Sequence, residues 1–320
     1  MSKILVTGGA GFIGSHLCDR LLALGHQIVC LDHLSDYYSP KIKLSNISHN
    51  LDNPNFTFLV KNVQEKNKLE KIFQDHDFDT VIHLAARAGV RASLDDPLDF
   101  KDTNISGTVN LLELAKVYNV KNFIFGSSSS VYGNNKKVPF SEDDPVEMPI
   151  SPYATSKRAC ELYCYTYSYL CSLQITVLRF FSVFGPRNRP DMAHYLMTES
   201  IFKEQPLKKF GDGTTSRDYT YIDDIIDGII ASLENSFKFE IINLGNSRTI
   251  TLNHVIETLE RNIGKKAIIN QLPEQPGDVE RTWANISKAK RLLNWEPKTA
   301  YEEGVEKLIN WYKSSTFSRS

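Results

Sequence analysis

The sequence lacks the features that mark membrane and nucleic-acid-binding proteins. No apolar run approaches the roughly 18 residues that a membrane-spanning helix needs. The formal net charge is −1, and no long run of one sign suggests a nucleic-acid or membrane-surface partner. Internal repeats and low-complexity tracts are also missing. For 320 residues, these absences leave a globular protein of one or two domains as the expectation.

Cysteine is scarce, with five residues in the chain and no spacing typical of a metal site. Cys160 and Cys164 lie four residues apart and could share a helix face as metal ligands. Packing is the favoured interpretation, because free cysteine behaves as a small buried hydrophobe. No charged-then-apolar leader is visible. We therefore expect a cytoplasmic location and no bound metal.

What the chain does have is a glycine-rich turn that joins an apolar strand to an apolar helix. The spacing G-x-x-G-x-x-G permits a tight turn, lets a pyrophosphate approach the backbone, and allows helix and strand to pack closely. The helix N-terminus adds free N–H groups and a positive dipole end for the anion. The predicted cofactor-binding residues of this turn are Gly8, Gly11, Phe12, Ile13 and Gly14.

An acidic residue follows this turn at the distance expected of a dinucleotide site. The second predicted strand, Ile28 to Leu31, ends at Asp32, about 20 residues further along. A carboxylate there can accept hydrogen bonds from both ribose hydroxyls and repels a 2′-phosphate. The pattern therefore favours NAD over NADP.

Strands alternate with helices through the first half of the chain, which is typical of an α/β protein with a parallel, doubly wound, Rossmann-type sheet. The predicted strands span 4–7, 28–31, 56–60, 80–86, 123–126 and 175–181. Beyond residue 183 the predicted elements are shorter and less regular. We expect an NAD-binding domain over 1–182 and a smaller α/β substrate-binding region over 183–320, with some of its elements returning to the first domain.

A tyrosine and a lysine lie four residues apart, at Tyr153 and Lys157, on one face of a predicted helix. A free phenol titrates near pH 10, so general-base chemistry near neutrality needs a nearby cation such as this ammonium group. The fifth predicted strand ends in the serines of 127–130, which adds hydroxyl groups at the same sheet edge. An exposed Tyr/Lys pair and a polar turn would each be unremarkable alone, but their combination points to a catalytic site.

The sequence resembles the extended short-chain dehydrogenase/reductase family, and within it the nucleotide-sugar 4-epimerases. The resemblance covers nearly the whole chain. It is carried by the glycine turn, the residues 83–86, Asn104, the serine-rich strand end, Tyr-x-x-x-Lys, and the stretches 178–186, 216–221 and 276–278.

The resemblance implies roles for individual residues. Tyr153 is expected to be the base, Lys157 to anchor the nicotinamide ribose, and Ser128 to bridge the sugar O4 and the phenol. Further cofactor contacts are expected from Asn62, Val63, Leu84, Ala85, Ala86, Asn104 and Phe180. Where this chain has Asn62, the family often has an aspartate; an amide can still hydrogen-bond the adenine edge. Expected substrate-binding residues are Ser128, Ser129, Ser182, Arg91, Arg189, Arg217 on the diphosphate and Asp278 on the uridine ribose.

The implied reaction is epimerisation at C4 of a UDP-sugar. Tyr153 removes the O4 proton while the C4 hydride passes to NAD, and the 4-keto sugar then rotates and accepts the hydride on its other face. Related 4,6-dehydratases and decarboxylases typically carry an acidic residue just after the catalytic hydroxyl, because their chemistry needs an added acid or base. Ser129 stands there in this chain, which favours simple epimerisation.

The sugar is predicted from two arginine-bearing stretches, 86–91 and 185–193, which are similar to those of the UDP-glucuronate 4-epimerases. A guanidinium can hold a carboxylate through two parallel hydrogen bonds. Our hypothesis is that Arg189, with the Ser182 hydroxyl, binds the C6 carboxylate of UDP-glucuronate. The alternative is that Arg187 and Arg189 are loop cations that contact diphosphate or solvent.

The sequence is also compatible with other functions. A UDP-glucose or UDP-N-acetylglucosamine 4-epimerase is compatible with Ser182 and the small Ala88-Gly89 pair. A catalytically silent, NAD-sensing binding protein is possible on the same fold, although the intact Tyr153, Lys157 and Ser128 argue against it. The helices near 100–118 and 153–172 resemble those that pair in the dimers of this family, so a homodimer is expected.

Overall fold

The computed structural model describes residues 1–273 and 281–317. The strands are β1 (Lys3–Thr7), β2 (Gln27–Asp32), β3 (Phe56–Val60), β4 (Thr80–His83), β5 (Asn122–Ser128), β6 (Gln174–Phe180), β7 (Ser182–Phe184), β8 (Pro206–Phe210), β9 (Ser216–Tyr221), β10 (Phe239–Leu244), β11 (Thr249–Thr251) and β12 (Ile268–Leu272). The α-helices are α1 (Phe12–Ala23), α2 (Pro40–Ile47), α3 (Lys66–Asp75), α4 (Ala92–Asp95), α5 (Pro97–Phe100), α6 (Gly107–Val117), α7 (Pro152–Cys171), α8 (Ala193–Phe202), α9 (Ile222–Glu234), α10 (Leu252–Ile263), α11 (Ser287–Leu293) and α12 (Tyr301–Phe317). Short 3₁₀ turns cover Ser48–Asn50 and Ser129–Tyr132, and a π-helical segment covers Lys101–Ser106.

Seven strands form one parallel sheet in the order β10-β6-β5-β4-β1-β2-β3. The chain moves outward from β1 to β3 and then returns to place β4 on the other side of β1. Such a reversal opens a crevice at the carboxyl ends of the two strands, where doubly wound proteins bind ligands. The predicted Rossmann-type fold class is confirmed.

Both faces of the sheet are covered, as the apolar sequences of its strands require. In β1, Ile4 and Val6 belong to one core, which α1 and α9 cover, and Leu5 belongs to the other, which α3, α6 and α7 cover. Cys160 and Cys164 are fully buried free thiols in this second core. The packing interpretation of this cysteine pair therefore agrees with the structure.

The structure differs from the predicted elements in three places. Strand β4 ends at His83, so residues 84–86 lie in the following loop. The sequence predicts helix near 100–118, but residues 101–106 are π-helical and α6 begins only at Gly107. Beyond residue 183 the elements are more regular than expected: α9 and α12 have 13 and 17 residues, and β10 joins the central sheet beside β6. The local sequence of a short strand such as β10 does not predict which sheet the strand joins, because strand pairing depends on long-range contacts.

The remaining strands form smaller sheets of three strands, β11-β9-β7, and of two strands, β12-β8. Strand β7 follows β6 after one residue and pairs in parallel with β9, which places Ser182 opposite Tyr219. This pairing brings the stretch 216–221 to the edge of the central sheet. None of the helices in the described ranges combines the length and apolar character required to span a bilayer.

Two buried histidines predict how stability depends on pH. Burial lowers the pKa of His83 to about 3, and it lowers the pKa of His194 in α8 to about 3. An unfolded histidine titrates near 6.5. Between these values the unfolded chain binds protons that the folded chain does not, so the free energy of unfolding falls as the pH drops below about 6.5.

His194 stacks on Phe184 and hydrogen-bonds the Tyr301 hydroxyl at 2.9 Å. Replacing His194 with Gln removes one titrating group while keeping a polar side chain. We expect urea unfolding to show that the variant loses about 1.4 kcal/mol less stability than the wild type between pH 7.5 and pH 5.5. An identical loss in both proteins would contradict this assignment.

Candidate functional site

A cavity of about 640 Å³ opens at the carboxyl edge of the central sheet, over the crevice between β1 and β4. Its walls contain most of the residues that the sequence predicts for cofactor, substrate and catalysis. The predicted residues that line it are Gly8, Gly11, Phe12, Ile13, Gly14, Asp32, Val63, Leu84, Ala85, Ala86, Arg91, Ser128, Ser129, Tyr153, Lys157, Phe180, Ser182, Arg189 and Arg217. Asp278 lies outside the described residues.

The glycine turn is shaped to receive an anion. Gly8 has a φ of +70°, and a Cβ there would lie 2.7 Å from the backbone nitrogen of Ala85. A Cβ at Gly11 would meet only the Gly8 carbonyl at 3.1 Å and the Tyr38 hydroxyl at 4.0 Å. A side chain at Gly11 would therefore press on the Gly8 carbonyl, and α1 begins after Gly11 with no side-chain cap. The N–H groups of the first turn stay available to a pyrophosphate.

Asp32 is a buried carboxylate at the end of β2. Its oxygens accept hydrogen bonds from the backbone N–H groups of Ala10 at 3.3 Å and Leu34 at 2.9 Å. These contacts fix the carboxylate where it faces the cavity, which suits the ribose of NAD. The glycine turn and this carboxylate together fit the dinucleotide that the sequence predicts.

Lys43 lies near Asp32 and was not predicted from the sequence. Its ammonium group donates to the carbonyl and the hydroxyl of Ser35, both at 2.9 Å, and lies 4.6 Å from the Tyr38 ring centre. Burial lowers the pKa of Lys43, and the nearby Asp32 charge opposes that effect. No local motif identifies this lysine. It lies in α2, and the path of the loop before α2, which brings the lysine to the cavity wall, cannot be predicted from the sequence.

Asn62 and Asn104 are not among the described residues that line the cavity. The Asn62 side chain accepts a hydrogen bond from the backbone of Gln64 at 3.0 Å. Asn104 is buried; its side chain accepts from Arg87 N at 2.8 Å, and it donates to Arg87 O at 3.0 Å and to Ser156 Oγ at 2.9 Å. Asn104 thus connects the loop after β4 to α7 from behind the cavity. Direct contact of either asparagine with a cofactor stays a prediction.

Helix α7 carries the tyrosine and the lysine into the cavity. It starts at Pro152, where the Ser151 hydroxyl caps it by accepting from Ala154 N at 3.1 Å. Tyr153 is half-buried, and Lys157 is buried one turn later. The Lys157 ammonium donates to the carbonyl oxygen of Gly126 at 2.7 Å. This bond holds the face of α7 that carries Tyr153 and Lys157 against the end of β5.

Ser128 is the last residue of β5, on the cavity wall. Its oxygen accepts hydrogen bonds from Ser130 N at 3.2 Å and from the Ser130 hydroxyl at 2.9 Å. A hydroxyl has two acceptor positions and one hydrogen. Ser130 therefore leaves the Ser128 hydrogen available for a substrate oxygen or a phenolate.

The arginines predicted to bind substrate differ in their surroundings. Arg91 lies with its guanidinium carbon 5.3 Å from the Phe210 ring centre, and Arg217 donates to the carbonyl of Ser216 at 3.0 Å. Arg189 forms a two-pronged ion pair with Asp191 at 2.8 and 3.0 Å, and Tyr37 donates to the same carboxylate at 3.3 Å. Burial alone would lower the pKa of Arg189, but the Asp191 carboxylate outweighs it and raises the pKa.

The Arg189 fork is therefore already occupied by a carboxylate of the chain itself. Binding of a sugar carboxylate requires Arg189 to exchange Asp191 for the ligand. Arg189 and Asp191 are only two residues apart in sequence. This spacing did not predict their ion pair, because two loop side chains so close in sequence need not face each other.

Asp218 is the second residue that sequence reasoning left without a role. It is fully buried and accepts hydrogen bonds from the backbone N–H groups of Asn246, Ser247 and Ala284 at 2.7, 3.0 and 2.9 Å. Burial raises the pKa of Asp218 to about 6, against the effect of these hydrogen bonds. Asp218 joins the loop after β10 and the segment near 284 to strand β9, which presents Arg217 to the cavity.

Comparison with known proteins places this geometry in a family. The family model described as GDP-mannose 4,6 dehydratase matches residues 5–308. The chain is 47% identical to a UDP-glucuronate 4-epimerase of Thermodesulfobacterium geofontis (strain OPF15), over 98% of this chain and 97% of the relative.

Two solved structures are also close in fold. A UDP-glucuronic acid 4-epimerase from Bacillus cereus, in complex with UDP-glucuronic acid and NAD, has a TM-score of 0.92 and 40% identity, over 98% of this chain and 99% of that one. A UDP-glucose 4-epimerase from Thermotoga maritima, with UDP-glucose, has a TM-score of 0.91 and 35% identity over the same shares.

Proposed function

Because the chain belongs to the extended short-chain dehydrogenase/reductase family, as its match to the GDP-mannose 4,6 dehydratase model shows, we propose that it is an NAD-dependent UDP-glucuronate 4-epimerase. The product of the proposed reaction is UDP-galacturonate. One observation carries the reaction type: Tyr153, Lys157 and Ser128 line the same cavity as the glycine turn and Asp32. The choice of sugar is supported by the 47% identity to a UDP-glucuronate 4-epimerase over nearly the full chain.

In the proposed reaction, the residues of the chain position the sugar and transfer its O4 proton. NAD, when bound at the glycine turn and Asp32, supplies a hydride acceptor and donor for C4 of the sugar. The Tyr153 oxygen removes the proton from O4 and later returns it. Lys157, held by the Gly126 carbonyl, would place a positive charge near the phenolate and would hydrogen-bond the ribose of a bound cofactor. Ser128 donates its remaining hydrogen to the sugar oxygen. The reaction has no net oxidation, so it would need no second oxidant or reductant.

The sugar end of the cavity supports epimerisation over dehydration. The residue after Ser128 is Ser129, so no carboxylate follows the catalytic hydroxyl. Ser182 and the Ala88-Gly89 pair, which also line the cavity, are small. Small side chains leave space in which a 4-keto sugar can turn before it is reduced. The dehydratase name of the family model therefore does not describe the chemistry that we propose for this chain.

The first experiment supplies UDP-glucuronate to the purified protein without added NAD and identifies the products by chromatography and NMR. We expect UDP-galacturonate. Changing Tyr153 to Phe removes the proton acceptor, so turnover should fall by roughly 10²–10⁴-fold while NAD remains bound.

A Tyr118→Phe variant, at a tyrosine outside the cavity, is the control and should retain activity. Interconversion of UDP-glucose or UDP-N-acetylglucosamine without any action on UDP-glucuronate would keep the mechanism and overturn the sugar. No turnover of any of these sugars, even with NAD added, would favour a silent NAD-sensing protein.

We also propose that Arg189 leaves Asp191 to bind the C6 carboxylate, with Ser182. Replacing Arg189 with Ala should then lower kcat/KM for UDP-glucuronate by about tenfold or more, because a charge-assisted pair is lost. Affinity for UDP-glucose, measured by calorimetry beside that for UDP-glucuronate, should change much less. Arg187, in the same loop, pairs with Asp19 at 2.8 Å, so Arg187→Ala is the matched control. Equal losses for both sugars in the Arg189 variant would disprove the carboxylate contact.

The homodimer is proposed from one face of α7. Leu162, Tyr163, Tyr169 and Leu170 recur at helical spacing and remain 42–71% exposed. A contiguous apolar surface of this kind is typical of an interface. Light scattering should give twice the 36.3 kDa mass of one chain. Leu170→Glu should shift the protein toward the monomer, whereas Leu51→Glu, at a leucine 49% exposed elsewhere, should not. A wild-type monomer would end this proposal.

A cytoplasmic location is likewise part of the proposal. The five cysteines are free thiols in the structure, as expected in a reducing compartment. The division into an NAD-binding part over 1–182 and a substrate-binding part over 183–320 is proposed with β10 as an element that returns to the first part.

A further inference from the structure

A buried ion pair lies directly behind the proposed catalytic residues. Glu161 in α7 and Arg179 in β6 each have 1% of their surface exposed. Arg179 Nε donates to Glu161 Oε1 at 2.9 Å, and Arg179 Nη2 donates to Glu161 Oε2 at 2.8 Å. Burial alone would lower the pKa of Arg179, and the Glu161 carboxylate raises it instead. Arg179 therefore remains charged inside the protein.

Glu161 also holds the strand that ends in the catalytic hydroxyl. The Ser127 hydroxyl donates to Glu161 Oε1 at 2.7 Å, and Ser127 is the immediate neighbour of Ser128. Tyr153, Lys157 and Glu161 follow one another at intervals of four residues, so they lie along one face of α7. Lys157 contacts the carbonyl of Gly126, and Glu161 contacts the hydroxyl of Ser127. Two consecutive residues of β5 are therefore fixed to two consecutive turns of α7.

The same network continues to the opposite side of the cavity. Arg179 Nη1 donates to the Tyr132 hydroxyl at 3.0 Å, and Tyr132 donates to Asn243 Oδ1 in β10 at 2.7 Å. Asn243 Nδ2 donates in turn to the carbonyls of Phe140 at 2.9 Å and Asn285 at 3.2 Å. Phe140 lines the cavity, and residue 285 is close to Thr282, which lines it as well. A buried polar path thus connects the catalytic helix to the substrate side of the cavity.

The stability of the fold does not explain why the Glu161–Arg179 ion pair is buried. The cost of removing two charges from water commonly equals or exceeds their attraction, and well-packed apolar residues often stabilise a core as well or better. The pair instead fixes the orientation of both side chains, because both carboxylate oxygens and three guanidinium nitrogens have defined hydrogen-bond partners. Such fixed positions are important near a catalytic site, because a displacement of about 1 Å at a reacting group can lower a rate by two orders of magnitude.

We propose that Glu161, held by Arg179, is a positioning residue that sets the Ser128 hydroxyl in register with Tyr153 and Lys157. It acts through Ser127 and touches neither substrate nor cofactor. The inference rests on the proposed 4-epimerase function, because it concerns the geometry of that reaction.

The test is the change Ser127→Ala, which removes the link from Glu161 to β5 and leaves the buried charges paired. Direct replacement of Glu161 would strand Arg179 and could prevent folding. The matched control is Ser168→Ala. Ser168 is also a buried serine and lies on α7, the helix that carries Glu161. Its hydroxyl donates to the carbonyl of Lys238, away from the cavity. Both variants lose one buried hydroxyl hydrogen bond.

We expect Ser127→Ala to lower kcat about tenfold. Its KM for UDP-glucuronate and its content of bound NAD should stay within about twofold of the wild type, because the diphosphate and dinucleotide contacts are unchanged. Ser168→Ala should retain the wild-type kcat and KM. An unchanged kcat in Ser127→Ala, or an equal fall in both variants, would overturn the positioning role.

Crystal structures of the two variants give a readout that does not depend on turnover. Ser128 should be displaced relative to Tyr153 in Ser127→Ala and not in Ser168→Ala. An undisplaced Ser128 would overturn the inference even if the activity fell. A wild-type protein without epimerase activity would refute the proposed function, whereas the displacement would still decide whether Glu161 positions Ser128.

Discussion

The close approach of two backbone segments at the centre of the sheet is the constraint on which the site depends. The turn after β1 and the loop after β4 meet where a Cβ on Gly8 would lie 2.7 Å from Ala85 N. This approach is possible because the strand order reverses between β1 and β4. The crevice that results exposes the N-terminus of α1 on one wall and the end of β5 on the next. A dinucleotide and the groups that act on a sugar can then share one cavity.

The wall of that cavity that carries the proposed catalytic residues is built by attaching a helix to a strand. Lys157 and Glu161 bind consecutive residues of β5, and Arg179 of β6 completes the attachment from the neighbouring strand. The chemistry of the proposed reaction needs few special side chains: a phenol, a cation and a hydroxyl. Their relative placement is the demanding part, which is consistent with catalysis that depends on position and electrostatics. The buried charges behind these side chains are explained better by that need than by stability.

The substrate side is held by buried polar groups in the same manner. Asp218 accepts backbone hydrogen bonds from two separate segments, and Asn243 donates to the carbonyls of Phe140 and Asn285. These side chains organise irregular segments, which have no ladder of backbone hydrogen bonds of their own. They also explain how a region of short strands can present Arg217 to a cavity whose other walls come from the central sheet.

Local patterns in the sequence determined the early strands, the glycine turn, the Asp32 position and the Tyr-x-x-x-Lys pair, because periodicity and spacing act over a few residues. They also indicated that Cys160 and Cys164 pack in the core. Only the tertiary structure decided that β10 joins the central sheet, that Lys43 enters the cavity wall, that Asn104 lies behind it, and that Arg189 pairs with Asp191. It also decided the path from Glu161 to Asn243, whose Tyr132 and Asn243 members are 111 residues apart. Such contacts depend on which strands become neighbours and where loops turn back, and these outcomes are settled by packing of the whole chain rather than by any local run of residues.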